Sequence, residues 1–172
     1  MAEEQPQQPQ QASPQNQPSF SIEKVYLKDL SLEIPHAPAI FTERNAPQVE
    51  IQMHTQATAV GDGLYESVLT TTVTAKIQEK VVFLVEAAQA GVFQIRNVPQ
   101  QDLEPILHVT CPNILLPFTR EAVASLVTRA GFPPVVLSPL NFEALYMKQR
   151  EQAAAQTQAA APASAEPKPT TH

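Results

Sequence analysis

The chain has 172 residues, 43% hydrophobic and 16% charged, with 17 Pro against 4 Gly and a formal net charge of −6. An acidic chain repels phosphate, which argues against a general nucleic-acid binder, and the scarcity of glycine argues against glycine-cradled phosphate sites. A single Cys excludes an intramolecular disulfide and a multi-thiolate metal site, and no apolar run approaches the roughly 18–20 residues that span a bilayer. The opening MAEEQPQQPQQ lacks the basic start and apolar centre of a signal peptide, so the expected setting is cytoplasmic, without membrane insertion.

Residues 1–19 are rich in Gln and Pro, and residues 156–172 in Ala, Pro and Thr. Such segments bury too little apolar surface to offset an ordering cost of about 1–2 kcal/mol per residue. The domain expected to fold therefore spans residues 20–155, between two disordered tails. Residues 20–33 (FSIEKVYLKDLSLE) read as a strand. Strict alternation puts Phe20, Ile22, Lys24, Tyr26, Lys28, Leu30 and Leu32 on one face, and Val25, Leu27, Asp29, Ser31 and Glu33 on the other. Pro35 and Pro38 end the strand and open a long extended loop.

Residues 49–55 alternate again, with Val49, Ile51 and Met53 inward. Gly61-Asp62-Gly63 supplies a turn. The β-branched runs 65–77 and 81–95, joined around Gln78-Glu79, suit an antiparallel hairpin of unusually long strands. Both faces of the fourth strand are largely apolar, which points to surface covered by a second copy. After residue 99 the pattern becomes helical. A first segment is expected over 102–109, with a kink or interruption at Pro112 and Pro117. A cleaner helix is expected over 119–130, capped by Gly131, and Asn141 caps a last helix carrying Phe142, Leu145 and Tyr146. Strands first and helices last predict an α+β domain: a four-stranded antiparallel sheet with C-terminal helices packed on one face.

Catalytic chemistry is poorly represented. His108 and Cys111 are close enough on a helix to meet, but Pro112 disturbs that geometry, and a buried small thiol is the better reading. Asp102 and Glu104 suit a helix start. The residues show no zinc spacing, nucleophile elbow or phosphate loop. The expectation is a protein that is not an enzyme and uses no cofactor.

The words IEKVYLKDLSLEIPHAP, LYESVLTTTVTAK, FLVEAAQAGVFQI, CPNILLPFTRE and LSPLNFEALY closely resemble the SecB protein-export chaperones over about residues 20–148. The resemblance implies a homotetramer, a dimer of dimers, that holds unfolded precursors without ATP and delivers them to the SecA translocase ATPase. It implies a SecA-binding surface at Asp29, Glu33, Leu84 and Glu86, where carboxylates flanking a Leu suit a basic partner. It places a client groove between the long loop and the last helix, with Tyr26, Phe41, Phe118, Phe142, Leu145 and Tyr146 as candidate lining. It assigns Val85, Ala87, Gln89, Ala122, Ser125 and Leu126 to assembly. The alternative is a SecB-like chaperone dedicated to one partner such as an antitoxin.

Overall fold

The computed structural model describes residues 17–159; the expectations for residues 1–16 and 160–172 lie outside the described residues. Four long strands come first: β1 (Ser19–Glu33), β2 (Gln48–Gly61), β3 (Leu64–Ile77) and β4 (Lys80–Arg96). They form one antiparallel sheet in the order β1-β4-β3-β2, so β1 and β2 are its edges. Both tight turns use positive φ. Gly63 closes β2–β3 at φ 67° and Gln78 closes β3–β4 at φ 54°. At Gly63 glycine is also required by space, because a Cβ there would lie 2.9 Å from Arg96 Cγ.

The alternation expected along β1 is broken twice. The register shifts between Ile22 and Lys24 and again between Leu27 and Asp29, so Glu23 and Lys28 are extra residues with no partner on β4. Each such bulge exchanges the faces of everything after it. The consequence corrects the simple reading. Phe20 and Ile22 pair with Ile95 and Phe93, Val25 and Leu27 with Gly91 and Gln89, and Leu30 and Leu32 with Ala87 and Val85. These β4 partners form the buried, helix-covered row. Lys24, Tyr26, Asp29, Ser31 and Glu33 share the opposite, open face, through partners Val92, Ala90, Ala88, Glu86 and Leu84. A strand that alternation makes two-sided thus becomes one-sided.

The helical part runs without a break from α1 (Gln100–Pro105) through a π-helical turn at Ile106–Thr110 into α2 (Cys111–Arg129). The interruptions expected at Pro112 and Pro117 do not occur. Pro112 follows directly on the π turn, which widens the backbone at the carbonyls its ring would otherwise crowd. Asn113 Nδ2 donates to the Val109 carbonyl at 2.9 Å, satisfying an acceptor in that turn. Gly131, at φ 86°, ends α2. The last helix, α3 (Phe142–Ala159), is capped by Asn141, whose Oδ1 accepts from the Ala144 N–H at 3.0 Å.

The helices cover one face of the sheet over two apolar clusters. Val123 and Val127 of α2 pack on Val73, Ala75, Val85 and Ala87. Leu107, Cys111, Leu115 and Phe142 pack on Leu69, Phe93 and Ile95. Gly91 permits that second contact, because a Cβ there would lie 2.7 Å from the Phe93 ring and 3.1 Å from Leu115. The fold is α+β, as the residue pattern predicts.

Candidate functional site

Two surfaces stand out, one on each side of the sheet. On the open face, the register lines residues up in rows across the four strands: Asp29–Ala88–Thr70–His54, then Ser31–Glu86–Thr72–Gln52, then Glu33–Leu84–Thr74–Glu50. Strands lie about 4.8 Å apart and alternate residues about 6.8 Å apart along a strand. Asp29, Glu33, Leu84 and Glu86 therefore form one compact group, with Leu84 and Glu86 directly opposite Glu33 and Ser31. The second bulge is what brings Asp29 and Glu33 onto the face of Leu84 and Glu86. Asp29, Glu33 and Glu86 are exposed, and no cation among the described residues forms a salt bridge with any of them. The Thr72 hydroxyl reaches Glu86 Oε2 at 3.4 Å. The same rows add the hydroxyls of Ser31, Thr70, Thr72 and Thr74, the Gln52 amide, His54 and a further carboxylate, Glu50, so the group is a negative patch with one half-buried Leu at its centre.

Further along the same face, the Tyr26 hydroxyl donates to Glu66, and Lys28 Nζ lies 2.8 Å from Glu66 Oε2. These donors hold the Glu66 carboxyl below the usual carboxylate range, Lys28 contributing most and Tyr26 next. Tyr26 is raised in turn, first by that hydrogen bond.

The second surface is an apolar groove of about 480 Å³ at the helix side of the sheet. Val49 and Ile51 of β2 form one wall with Ile77, Val82 and Phe83; Ile40 of the long loop and Phe132 to Val136 form the other. The loop carries a short 3-10 turn, Ala39–Thr42, midway along it, anchored by Ile40 at 3% exposure. Pro133 and Pro134 keep the segment after α2 extended, which leaves its apolar side chains along the groove rather than on a helix. The Lys80–Glu43 pair, at 3.0 Å, stands at its edge.

The six side chains expected to line a groove do not converge. Phe41 is half exposed and stacks on Phe132 at 5.2 Å, behind the groove wall. Phe142 is buried in the core at 1% exposure, and Tyr26 is on the open face of the sheet. Phe118 is exposed on α2, and Leu145 and Tyr146 are half-buried on α3, where Tyr146 stacks on His108 at 5.7 Å. The groove residues themselves were legible only indirectly, in Val49 and Ile51 alternating on an edge strand and in an apolar run held extended by two prolines.

Of the residues assigned to assembly, Val85 and Ala87 are fully buried beneath α2 of their own chain, and Gln89 is 5% exposed with its Nε2 donating to the Tyr26 carbonyl at 2.8 Å. Surface contact is thus not open to Val85 or Ala87. Ala122, Ser125 and Leu126 are half-buried and line a shallow cleft with Leu27 and Leu30. Cys111 is buried, and burial pushes its thiol up to about 12, so it is protonated at neutral pH and poorly suited to attack as a nucleophile. His108 faces Glu104 at 3.4 Å.

A family model for SecB, described as a preprotein translocase subunit, matches residues 13–153. A protein-export protein SecB from Methylobacillus flagellatus is 59% identical over 154 residues, which is 90% of this chain and 95% of that protein. Its counterpart from Dechloromonas aromatica is 63% identical over 140 residues, 81% of this chain and 92% of that one. Among solved structures, a Mycobacterium tuberculosis SecB-like chaperone in complex with a peptide from an antitoxin covers 70% of this chain and 90% of its own, with TM-score 0.57 and 18% identity, a likeness of fold. No helix among the described residues is long and apolar enough to cross a membrane. With an α+β fold of this topology and identities of this size over most of its length, the chain belongs to the SecB family of protein-export chaperones.

Proposed function

We propose that this chain acts in the cytoplasm as a homotetramer, a dimer of dimers, that holds unfolded precursor proteins and hands them to SecA. The observation that carries the hand-over is the convergence of Asp29, Glu33, Leu84 and Glu86 on one open sheet face, with no salt bridge to any of them among the described residues. Exposed carboxylates steer and orient a basic partner, and the central Leu adds contact area. Self-association is supported by apolar surface left uncovered beside the edge strand. Phe20, Ile22 and Leu27 of β1 and Phe118 of α2 are each at least 40% exposed. The cleft between Leu27, Leu30 and the small residues Ala122 and Ser125 admits a close helix approach. Any influence of Val85, Ala87 and Gln89 on assembly runs through the seating of α2 and β1.

Client holding rests on the apolar groove. A large apolar side chain buried there returns roughly 1.5–3 kcal/mol, while ordering an unfolded segment costs about 1–2 kcal/mol per residue. Net affinity therefore requires several apolar anchors in one chain, and grooves on several subunits add through effective concentration. Folded proteins hide such anchors, so selectivity for unfolded chains follows without a sequence code. The groove-lining residues, rather than Phe142, are the side chains for this role; Phe41 supports Phe132 from behind.

The test measures two activities on one preparation: delay of refolding of a denatured precursor, and co-elution with purified SecA. Asp29→Lys is expected to weaken SecA binding about tenfold or more, because it reverses a charge inside the patch, while the refolding delay is unchanged. Unaltered SecA binding would overturn the docking surface; equal loss of both activities would mean that fold or assembly had been damaged.

A further inference from the structure

The bulge that exposes Asp29 creates a problem for the surface it builds. Leu27 pairs with Gln89 and Asp29 with Ala88, so Lys28 and Asp29 together stand opposite a single residue. Leu27 and Leu30 stand on either side of the bulge and both line the cleft beside α2, on the helix side of the sheet. The two residues between them both serve the open face, Lys28 reaching Glu66 there. An ammonium thus stands next to a docking carboxylate, within a side chain's length of the negative patch. Left free, it would pair with Asp29 or Glu86 and cancel the charge a basic partner reads.

The structure shows where that ammonium goes. Lys28 Nζ is 2.9 Å and 2.8 Å from the two carboxylate oxygens of Glu66, directed along the strand away from Glu33 and Glu86. Glu66 is itself fixed by the Tyr26 hydroxyl, and Gln89 Nε2 holds the Tyr26 carbonyl at 2.8 Å, just ahead of the bulge. The Glu66 side chain is 16% exposed, so the pair is partly shielded from solvent. The other lysines on this face are farther out. Lys24 shares the row of Glu66 from across β4, and Lys76 lies beyond the row of Glu33 and Glu50.

We propose that Glu66 is a positioning residue for the acidic docking surface: by sequestering the Lys28 ammonium it keeps a built-in competitor off Asp29 and Glu86. This rests on the docking reading given above. Glu66 does not touch the partner; it acts through Lys28, and removing Lys28 makes it dispensable.

The experiment measures affinity for purified SecA with full-length Glu66→Gln, Lys28→Met, the double variant and Asp29→Lys, at low and high salt. Glu66→Gln is expected to bind about two- to fivefold more weakly at low salt, the range an exposed ion pair commands, with the loss shrinking as salt screens the patch. Lys28→Met is expected to match or exceed the parent, and the double variant to return to parental affinity. A double variant as weak as Glu66→Gln, or a Glu66→Gln variant that binds like the parent, would overturn the proposal. Should Glu66→Gln fail to fold, Lys28→Met decides alone: weaker binding than the parent overturns the proposal. Asp29→Lys separates the two readings, because its indifference would sink the docking surface itself, whereas its loss of binding beside an unaffected Glu66→Gln sinks only the role of Glu66.

Discussion

The two faces of the sheet use the same strands for opposite purposes. On the helix side, odd-numbered residues of β4 from Phe83 to Ile95 are buried, and Val73, Val85, Ala87 and Phe93 have no exposure at all. On the open side, the intervening residues Leu84, Glu86, Ala88 and Val92 remain partly or fully exposed and sit among threonines, amides and carboxylates. One face therefore stores folding energy and the other is free to vary in charge. The boundary is imperfect at the edges. Apolar surface stays uncovered on both edge strands, at Val49 and Ile51 on β2 and at Phe20, Ile22 and Leu27 on β1.

That division is broken most severely from the helix side. Leu115 is fully buried against Phe93 and Gly91, so Leu115→Ala leaves a cavity the rigid sheet cannot fill. A loss of about 2–5 kcal/mol is expected in denaturant unfolding at fixed protein concentration, with both binding activities falling in step with the folded fraction. Glu86→Lys on the open face is expected to change stability by no more than about 0.5 kcal/mol while reducing SecA binding. A similar stability loss in both variants would erase the distinction between the faces.

A smaller effect sharpens the comparison at the edge. Ile51 is 39% exposed on the groove wall, so Ile51→Asp places a carboxylate where client side chains would be buried, yet leaves it access to water. Refolding delay of a denatured precursor is expected to drop about three- to thirtyfold in apparent affinity, the equivalent of losing part of one apolar anchor. SecA binding and unfolding are expected to stay near the parent. An unchanged refolding delay would remove the groove from client holding.

Much of the scaffold was legible because its signals are local. Period-two alternation marked the strands, Gly61-Asp62-Gly63 and Gln78-Glu79 marked the turns, and Asn141 marked the start of α3. The phase of β1 was not, because a bulge is decided by the partner strand. Nothing in IEKVYLKDLSLE announces that Glu23 and Lys28 lack partners, although Val25 and Leu27 following Phe20 and Ile22 hint that alternation fails. At Pro112 the preceding π turn accommodates what local rules treat as a break, and Pro117 lies inside α2 without ending it. Among the site residues, the three carboxylates Asp29, Glu33 and Glu86 and the central Leu84 come from family resemblance, and the register brings them onto one face. Phe142 was misassigned because an aromatic at a helix start looks the same in sequence whether it faces a groove or a core.

The smallest expected effect concerns acid, and it isolates the Lys28–Glu66 ion pair on the open face. Glu66 is held below its ordinary value of 4.5 by Lys28 first and Tyr26 second, so its contribution is complete above pH 4.5 and is lost as pH falls through the folded-state value. Tyr26 behaves oppositely. Raised above 10.0 by Glu66, it contributes below pH 10 and loses that contribution as pH rises through its folded value. Because the Lys28 side chain is 48% exposed, solvent screening limits the pair to about 1 kcal/mol or less. The stability gap between the parent and Glu66→Gln is therefore expected to be flat near neutrality and to narrow below about pH 4, as followed by urea unfolding at each pH. A gap that stays constant down to pH 3 would mean that Glu66 stabilises β1 by packing rather than by charge. In that case its hold on Lys28 would be too weak to shape the face beside it.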